Sequence, residues 1–429
     1  MRVSYLTSFR RLVAALLAVA AIAGATAGVY AQQEQPRRQQ PQKPAAKPPA
    51  QKPSTAAKPA TPAIKPEALP PSQIGTGTLA RHAFMVDPLT STVLLFKDAD
   101  KPMAPSSMSK MMTIYILFEE LTAGRIKLDT KFRVSERARA MGGSRMFVEI
   151  GTEVSVDDLI HGIIVLSGND ACVVVAEGLS GSEESFAERM TKRGKELGMV
   201  RTVFKNSSGW PAEGQQSTAR DLAVLAWHTI EDYPKYYPYY AVTEWTYNNI
   251  KQDNRNRLLR LVPGTDGLKT GHTEEGGYGQ ATSAIRDGRR LVLVVNGMTS
   301  MAERAAETAR LMEWGFREFS NTTIFRAGDT VAEAPVWLGA AEKVPLIIPR
   351  AVAVTSPVGQ SAQPRVVARF EGPLTAPIAK GTKVGTVAIT LSDGRVIEHP
   401  LETGADVPRL GAFSRVATLL KHYLFGWLS

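Results

Sequence analysis

Segments with strand propensity stand at both ends of a long helical region, and this order constrains the fold more than any other feature of the sequence. The β-prone runs are paired around turn residues, Asp87-Pro88 in the first pair and Asp287-Gly288 in the second, and they cover residues 82–86, 92–96, 279–286 and 289–295. Helical periodicity fills the interval and returns after the last strand, over residues 107–121, 156–164, 170–179, 182–197, 218–230 and 301–319. Strands that are distant in sequence, with helices between them, predict an α+β domain with one antiparallel sheet flanked by helices.

The pattern changes after this region. Residues 321–408 consist of short alternating strands, such as 366–370 and 384–391, joined by Gly and Pro turns. They predict a small all-β domain that follows a catalytic domain at 76–320. Because no catalytic grouping occurs in it, we expect it to serve binding, spacing or orientation.

The last segment, residues 409–429, has the pattern of an amphipathic helix. One face collects large apolar residues, namely Leu410, Phe413, Val416, Leu420, Tyr423, Leu424 and Trp427. The basic side chains lie mostly off that face, and Trp427 stands near the end of the segment. This pattern favours a helix that lies in the plane of a membrane surface, and a helix docked on the β domain is the alternative.

The N-terminal 75 residues predict export and a tether. Arg2, Arg10 and Arg11 precede an apolar run over residues 12–25, and Val29-Tyr30-Ala31 is a small-residue cleavage site, so we interpret 1–31 as a signal peptide. An uncleaved anchor helix is the alternative, although the run is short for a span. Residues 32–75 are rich in Gln, Pro, Ala and Lys, which predicts a disordered linker, either a spacer or a tolerated low-complexity tail.

Charge, cysteine and histidine content exclude several function classes. Residues 1–75 hold ten Lys and Arg against two Glu, and so carry most of the net charge of +10. A basic field confined to the tail does not predict nucleic-acid binding. Cys172 is the only cysteine, and we expect a buried, inert thiol in a helix. The six histidines are isolated from one another, so we expect no metal and no cofactor.

Three short motifs carry the chemistry: Ser107-Met108-Ser109-Lys110, Ser167-Gly168-Asn169 and Lys269-Thr270-Gly271. Each alone is a weak signal, and their order and setting give them weight. The first opens a predicted helix, where residues three apart share a face, so the Lys110 amine can reach the Ser107 hydroxyl. The second precedes a helix. The third lies on a predicted strand, where Gly271 would let a substrate backbone approach closely.

Longer stretches around these motifs, over residues 105–113, 265–273 and 276–278, closely resemble the serine D-alanyl-D-alanine carboxypeptidases among the low-molecular-weight penicillin-binding proteins. The resemblance covers residues 79–319, and the small β domain with an amphipathic tail matches the family's layout. It implies a β-lactamase/transpeptidase-like fold. It also implies hydrolysis of the terminal D-Ala-D-Ala bond of peptidoglycan stem peptides through a Ser107 acyl-enzyme, with β-lactam antibiotics as inhibitors.

The first two motifs provide the catalytic residues. Ser107 needs a base, and because no Ser-His-Asp arrangement is evident, Lys110 is the nearest candidate. Lys110 must be neutral to act, so its pKa has to fall by about 3 units through burial and through the positive charge of Lys269. By resemblance, Ser167 relays a proton to the leaving nitrogen, and Asn169 binds Lys110 and the substrate amide.

The third motif provides substrate binding. The family likeness implies that the backbone N–H groups of Ser107 and His272 hold the acyl oxyanion. Lys269 and Thr270 are the first candidates to receive the substrate carboxylate. Arg304 occupies the place of an arginine that the family uses near this pocket, and a solvated helix arginine is the alternative.

Other functions remain open at this stage. The same site serves endopeptidase cleavage of cross-linked peptides, and an inactive wall-binding or scaffolding homologue is the non-enzymatic alternative. A β-lactamase is disfavoured because no Glu stands in an obvious deacylation motif after Asn169. The leader and the tail together predict a periplasmic protein at the outer face of the inner membrane, of undetermined oligomeric state.

Overall fold

The computed structural model describes residues 77–359, 364–391, 394 and 396–416. The predicted signal peptide and the whole of the predicted linker lie outside these residues. So does most of the predicted C-terminal helix. No helix among the described residues has the length and hydropathy needed to cross a bilayer.

The central sheet unites the strands from both ends of the first domain. Its described strands are antiparallel in the order β2-β1-β9-β8-β7, and they are β1 (His82–Asp87), β2 (Thr92–Lys97), β7 (Thr265–Thr273), β8 (Gly277–Arg286) and β9 (Arg289–Met298). The prediction of one antiparallel sheet assembled from distant segments is confirmed. The strand β7, which carries the third motif, lies at an edge of this sheet.

Helices cover both faces of the sheet, as the α+β prediction requires. They are α1 (Lys110–Thr122), α2 (Glu136–Ala140), α3 (Val156–Ile164), α4 (Asn169–Ser180), α5 (Glu183–Glu196), α6 (Ala219–Asp232), α7 (Leu258–Leu261) and α8 (Met301–Glu318). The alternation of β9 sends Val292 and Val294 into the core beneath α1 and α6, and Leu293 and Val295 into the core beneath α8. The sheet therefore holds the helical layer rigidly over one face.

Hydroxyl side chains set the starts of several helices. The side chains of Ser155, Ser182, Thr218 and Ser300 each accept a hydrogen bond from the backbone N–H three residues later, at the start of α3, α5, α6 and α8 respectively. The predicted starts at 182 and 218 thus fall on the capping residues. The local hydrophobic period placed these helices to within one or two residues.

The sequence analysis did not predict two short antiparallel strand pairs. The pair β3 (Lys131–Arg133) and β4 (Glu153–Ser155) is too short to show an alternating pattern. The pair β5 (Glu244–Tyr247) and β6 (Ile250–Asp253) turns at Asn248-Asn249, where both residues have positive φ. Because consecutive asparagines favour such turns, this signal was present in the sequence.

The second domain is all-β, as predicted. The strand β10 (Phe319–Phe325) pairs with β13 (Val352–Pro357). The other described strands form a sheet in the order β14-β16-β17-β12-β11-β15, and they are β11 (Thr330–Trp337), β12 (Lys343–Ile347), β14 (Arg365–Phe370), β15 (Leu374–Thr375), β16 (Lys383–Thr390) and β17 (Val396–Thr403). A separate apolar core, including Leu346, Val387 and Leu401, lies between them.

The predicted helix at 409–429 is wrong at its start. Arg409 forms an isolated bridge with Gly339, and the Leu410 backbone N–H donates to the Leu338 carbonyl at 3.0 Å. These contacts keep the chain extended against the β domain, so the described helical residues begin at 412. Residues 417–429 lie outside the described part of the chain.

Candidate active site

The first motif forms a tight turn at the entrance to α1. Ser107 lies in a 3₁₀ turn, Ser106–Ser109, and the regular helix begins only at Lys110, so the predicted helix start at 107 is shifted. Ser106 has a φ of 51°, in the left-handed region. The turn still keeps the two functional groups together, because the Lys110 Nζ lies 2.8 Å from the Ser107 Oγ.

The amine of Lys110 is fully buried and has three polar neighbours. It donates to the Asn169 Oδ1 at 2.7 Å and to the Ser208 carbonyl at 2.6 Å. A neutral amine has two N–H groups and one lone pair. In the charged form the amine donates to all three oxygens, that of Ser107 included; in the neutral form the Asn169 and Ser208 oxygens can take both N–H groups and leave the lone pair for the Ser107 hydroxyl. The site therefore suits a lysine that can receive the serine proton once it is deprotonated.

Burial is also the main influence on the pKa of Lys110. It lowers that pKa from 10.5 to about 8, although the negative charges of Asp170 and Glu183 oppose it. Burial lowers the pKa of Lys269 well below its usual value, and the positive charge of Lys110 adds to this effect. Two buried amines that repel one another do not both remain charged at neutral pH. The expected depression of the Lys110 pKa is thus present, with burial as its leading cause.

The second motif joins both lysines. Ser167 has a φ of 59°, and its Oγ accepts from the Lys269 Nζ at 3.0 Å. Asn169 is the first residue of α4, and its side chain accepts from Lys110 while its Nδ2 donates to the Gly142 carbonyl at 2.8 Å. Backbone strain at a position such as Ser167 is typical of functional sites. The structure thus brings Ser107, Lys110, Ser167, Asn169 and Lys269 together.

The third motif packs directly against the turn that carries the serine. A Cβ placed on Gly271 would lie 3.0 Å from the Ser106 Cβ and 3.2 Å from the Pro105 carbonyl oxygen. The Ser106 hydroxyl also lies 3.2 Å from that of Thr273. We expected Gly271 to admit a substrate backbone, but the close neighbour in the structure is the protein's own turn. Glycine lets β7 lie this close to the turn that carries Ser107, because an added Cβ would require the turn to shift.

The sequence analysis missed Asp170, which holds one wall of the site. Its buried carboxylate accepts from the backbone N–H groups of Met146, Phe147 and Val148 at 2.9, 2.8 and 3.3 Å, and from that of Ala171 at 2.9 Å. These bonds tie residues 146–148 to the start of α4. An acidic residue in the first turn of a helix is a recognisable sequence signal, but its partners were not predictable.

The segment that carries the Ser208 carbonyl was also missed. The buried Glu183 accepts from the Ser207 N–H at 3.1 Å and from its hydroxyl at 2.6 Å, and it pairs with Arg137 at 2.8 Å. Gly209 has a φ of 82°, and a Cβ there would lie 1.8 Å from the Ser106 carbonyl oxygen. No side chain fits at this position, so this loop packs against the nucleophile turn.

A cleft of about 730 Å³ opens over these groups. Its wall includes Ser107, Ser167, Asn169, Thr270, Gly271, His272 and Arg304. The segment Gly142-Gly143-Ser144 reaches its edge through Gly143 and Ser144. His272 is exposed, and its ring stacks on that of Tyr278 with centroids 3.9 Å apart. Four of the predicted substrate-binding residues thus face the same cleft as the nucleophile, whereas Lys269 is buried and contacts Ser167 through its amine.

The alternative of a solvated Arg304 is wrong. The residue is 4% exposed, its Nη2 donates to the Arg255 carbonyl at 3.4 Å, and its Nε is buried without a partner among the described residues. Burial lowers the pKa of Arg304 to about 10, and the nearby positive charges of Arg257 and Arg255 contribute. A buried cation with an unused donor, in the wall of a cleft, is suited to bind an anion.

The single cysteine of the chain lies in α4, the helix that begins at Asn169. Cys172 is buried in α4, where burial raises the pKa of its thiol to about 12, so it remains protonated. Within the described ranges, no cluster of three His, Cys, Asp or Glu side chains is arranged to hold a metal ion.

Comparisons with known proteins agree with this geometry. Residues 71–300 match the family model for D-alanyl-D-alanine carboxypeptidases, and residues 319–409 match that for the C-terminal domain of penicillin-binding protein 5. The chain is 38% identical over 362 residues to the D-alanyl-D-alanine carboxypeptidase DacC of Escherichia coli. This match covers 82% of this chain and 90% of that protein. It is 34% identical over 361 residues to DacF of Bacillus subtilis, with coverage of 81% and 90%.

Solved structures give the same result. Penicillin-binding protein 5 from Haemophilus influenzae superposes with a TM-score of 0.72 at 34% identity, and the match covers 78% of this chain and 99% of that chain. Penicillin-binding protein D2 from Listeria monocytogenes, in an ampicillin-bound form, matches with a TM-score of 0.52 at 29% identity over 56% of this chain and 99% of that chain. With a serine and a buried lysine 2.8 Å apart at the expected motif, the chain belongs to the family of serine-type D-alanyl-D-alanine carboxypeptidases.

Proposed function

We propose that this protein hydrolyses the terminal D-Ala-D-Ala bond of peptidoglycan stem peptides through an acyl-enzyme on Ser107. The observation that carries the proposal is the hydrogen bonding of the Lys110 amine. Asn169 and Ser208 provide acceptors for two of its N–H groups, and the Ser107 hydroxyl lies 2.8 Å away, where it can give its proton to the deprotonated amine. This arrangement provides an activated serine without a histidine.

The reaction divides into two steps. In the first, the Ser107 Oγ attacks the carbonyl carbon of the penultimate D-alanine, and its proton passes to the Lys110 Nζ. The C–N bond then breaks, and the leaving nitrogen receives a proton through the Ser167 hydroxyl, which lies 3.0 Å from the Lys269 amine. In the second step, Lys110 takes a proton from a water molecule that attacks the ester, and it passes this proton to the Ser107 Oγ as the ester C–O bond breaks. The products are D-alanine and the shortened peptide.

The remaining residues bind the substrate. The N–H groups of Ser107 and His272 are proposed to hold the oxyanion, by the family likeness. The Thr270 hydroxyl and the Arg304 guanidinium line the cleft where a terminal carboxylate would lie, and the buried Lys269 amine donates to the Ser167 Oγ beside it. Arg304 supports this placement of the substrate carboxylate, because its buried Nε has no hydrogen-bond partner among the described residues and is free to bind an anion. Asn169 orients Lys110 and binds the substrate amide.

The same chemistry accounts for β-lactams as inhibitors. A β-lactam carbonyl presents an acyl group to Ser107, and the attached amine remains tethered to the acyl-enzyme after the ring opens. An ampicillin-bound form of a relative with the same catalytic fold supports this expectation. We expect slow release, because no Glu in an obvious deacylation motif follows Asn169.

We also propose an exported, periplasmic enzyme that lies on the outer face of the inner membrane. Residues 1–31 would direct export, residues 32–75 would act as the tether, and the apolar side chains of residues 412–429 would bind the lipid surface. Sedimentation with vesicles containing anionic lipid tests the last point. The chain without residues 412–429 should remain in the supernatant, and equal sedimentation of both forms would overturn the membrane proposal.

The decisive test compares two serines of the same turn. Wild type, Ser107→Ala and Ser109→Ala are incubated with an acyl peptide ending in D-Ala-D-Ala, and free D-alanine is measured. Ser109 serves as the matched control, because its hydroxyl is buried without a hydrogen-bond partner among the described residues. We expect release by wild type and by Ser109→Ala, and none by Ser107→Ala. A labelled penicillin should acylate the same two proteins.

The other outcomes separate the alternatives. Acylation of Ser107 without release of D-alanine would support the assignment of the nucleophile. It would favour transfer to another acyl acceptor, or cleavage of cross-linked peptides, over D-Ala-D-Ala hydrolysis. Neither acylation nor release would leave an inactive wall-binding or scaffolding protein. D-alanine release by Ser107→Ala at the wild-type rate would refute the assignment of the nucleophile.

A further inference from the structure

A second cavity of about 630 Å³ adjoins the active-site cleft. Arg255 and Met301 line both spaces, so these two residues form the boundary between them. Arg304 lies on the cleft side of this boundary, and its Nη2 donates to the Arg255 carbonyl at 3.4 Å. Since Arg304 is proposed to receive the carboxylate of the residue that leaves, the second cavity lies beyond the leaving-group end of the cleft.

The turn between the two cavities presents arginines outward from a rigid base. Asn254 and Asn256 are buried at 9% and 2% exposure, whereas Arg255 and Arg257 are exposed. The Asn256 side chain donates to the Gly267 carbonyl at 2.9 Å and accepts from the Gln280 side chain at 2.7 Å. These bonds anchor the turn to β7 and β8. Because buried asparagines alternate with exposed arginines, Arg255 and Arg257 point away from the core. Both line the second cavity, and Arg255 also lines the cleft.

The charge of this cavity is not balanced by the protein. Arg260 pairs with Asp253 at 3.2 Å and with Glu244 at 3.6 Å. Within the part of the chain that the structure describes, no carboxylate pairs with Arg255 or Arg257. Asp253 is an acidic residue in the lining, so three arginines face one carboxylate there. The cavity thus has an excess of positive charge, and it adjoins the part of the cleft wall that contains Arg304.

The cavity also has an apolar part. Leu261 is 61% exposed and Met301 is 41% exposed, and both line it. Exposed aliphatic surface beside free guanidinium groups suits a flexible carbon chain that ends in an anion. Alanine, with only a methyl side chain, does not reach across the boundary from the cleft. A leaving residue with a longer side chain does.

We infer that this cavity is a subsite for an anionic group carried on the side chain of the leaving residue. The substrate class is then a stem peptide whose residue after the scissile bond has the D configuration and an acidic side chain or a carboxylate-bearing extension. Arg257 is the specificity-determining residue, and Arg255 joins the subsite to the cleft. The inference rests on the proposed function, because the direction of the leaving group comes from it.

The bond that breaks is the same as in D-Ala-D-Ala hydrolysis. The Ser107 Oγ forms the ester, the nitrogen of the acidic D-residue takes the proton and leaves, and water completes the hydrolysis. Only the binding of the leaving residue changes. The subsite therefore acts on kcat/KM for substrates with an anionic side chain, and it is separated from the serine and the lysine that carry out the chemistry.

The test uses three acyl peptides that differ only in the last residue. One ends in D-Ala-D-Ala, one in D-Ala-D-2-aminoadipate, and one in the ω-amide of the same D-2-aminoadipate, which has the same length without the side-chain charge. The released amino acid is measured for the full-length wild type, Arg257→Ala, Arg257→Lys and Arg326→Ala. Arg326 is an exposed arginine of the β domain and is the matched control for loss of one surface charge.

We expect wild type to favour the ω-carboxylate over its amide by about fivefold in kcat/KM at low salt, the upper range for one exposed ion pair. Arg257→Ala should lower this ratio to about one, while Arg257→Lys and Arg326→Ala should retain most of it. Raising the salt from about 0.01 M to about 1 M should also remove the preference, because the charges are exposed.

Each contrary outcome is distinct. The wild type could release D-alanine from D-Ala-D-Ala yet show nearly equal kcat/KM for the ω-carboxylate and ω-amide peptides. This result would refute the anionic subsite and leave the proposed function intact. A high ratio that persists in Arg257→Ala would overturn the role of this arginine. Failure of wild type to hydrolyse any of the three peptides would overturn the proposed function, and the inference with it.

Discussion

Replacing Asn169 by Asp should move the pH dependence of Ser107 acylation to more alkaline pH. The Asn169 Oδ1 lies 2.7 Å from the Lys110 Nζ, and the pKa of this buried amine is about 8. An Asp at this position has nearly the same shape and places a negative charge beside the amine. A carboxylate so close favours the charged form of lysine and raises its pKa by about 1 to 2 units.

The expected magnitude follows from the fraction of neutral Lys110. With a pKa of about 8, this fraction rises about tenfold between pH 6 and 7 and levels off above pH 9. If the pKa rises by about 1 to 2 units, the neutral fraction at pH 7 falls by about tenfold to a hundredfold. The sign is fixed, because a raised pKa means less neutral base at any given pH. The loss should be regained near pH 10.

The assay measures the second-order rate constant of acylation by a fluorescent penicillin between about pH 6 and pH 10. Asn169→Leu is the control, because it removes the hydrogen bond to Lys110 without adding a charge. We expect it to slow acylation without moving the midpoint upward. Thermal unfolding at each pH identifies any range in which a variant is not folded.

A slow Asn169→Asp variant whose rate does not recover at high pH, although it remains folded, would refute the reasoning. So would a wild-type rate that is flat between pH 6 and 9. Either result would mean that deprotonation of Lys110 does not limit the attack of Ser107.

Three further predictions concern the frame of the site. Asp170→Ala should lower the free energy of unfolding by about 3 kcal/mol, since it leaves buried backbone N–H groups unpaired; urea unfolding measures this, and a loss below about 0.5 kcal/mol would contradict it. Gly271→Ala should slow penicillin acylation at least about tenfold, because its Cβ would lie 3.0 Å from the Ser106 Cβ and displace the turn that carries the nucleophile; an unchanged rate would show that the turn adjusts freely. Cys172, with its pKa raised to about 12 by burial, should react with an aromatic disulfide at pH 8 only after unfolding; rapid labelling of the native protein would contradict its burial.

The positions of the secondary-structure elements were largely predictable, because their signals are local. The hydrophobic period of residues 156–164 coincides with α3, and the Asp287-Gly288 turn joins β8 to β9 as expected. The pairs β3–β4 and β5–β6 were missed, because strands of three or four residues carry little periodicity. The start of the C-terminal helix was wrong, because contacts of Leu410 with the β domain override the local pattern.

The site was predictable only in part. Three motifs identified Ser107, Lys110, Asn169 and Lys269, because each motif is contiguous and is similar to that of a known family. Asp170, Glu183 and the Ser208 carbonyl were missed, because their contribution depends on neighbours that the sequence does not reveal. The burial of Arg304 was left open for the same reason, since a helical period does not distinguish a solvated arginine from one in the wall of a cleft.

The sequence by itself determined which groups are available and that Ser107 and Lys110 share one turn, because a separation of three residues brings two side chains onto the same face. Only the tertiary structure decided that this lysine is buried and has a lowered pKa, as a base at this position requires. Its two acceptors come from Asn169 and Ser208, which are 59 and 98 residues away along the chain, and its burial requires β7 to pack against the turn at Gly271. The protonation of an amine depends on the water and charges around it, and for Lys110 these are set by distant segments meeting in the fold.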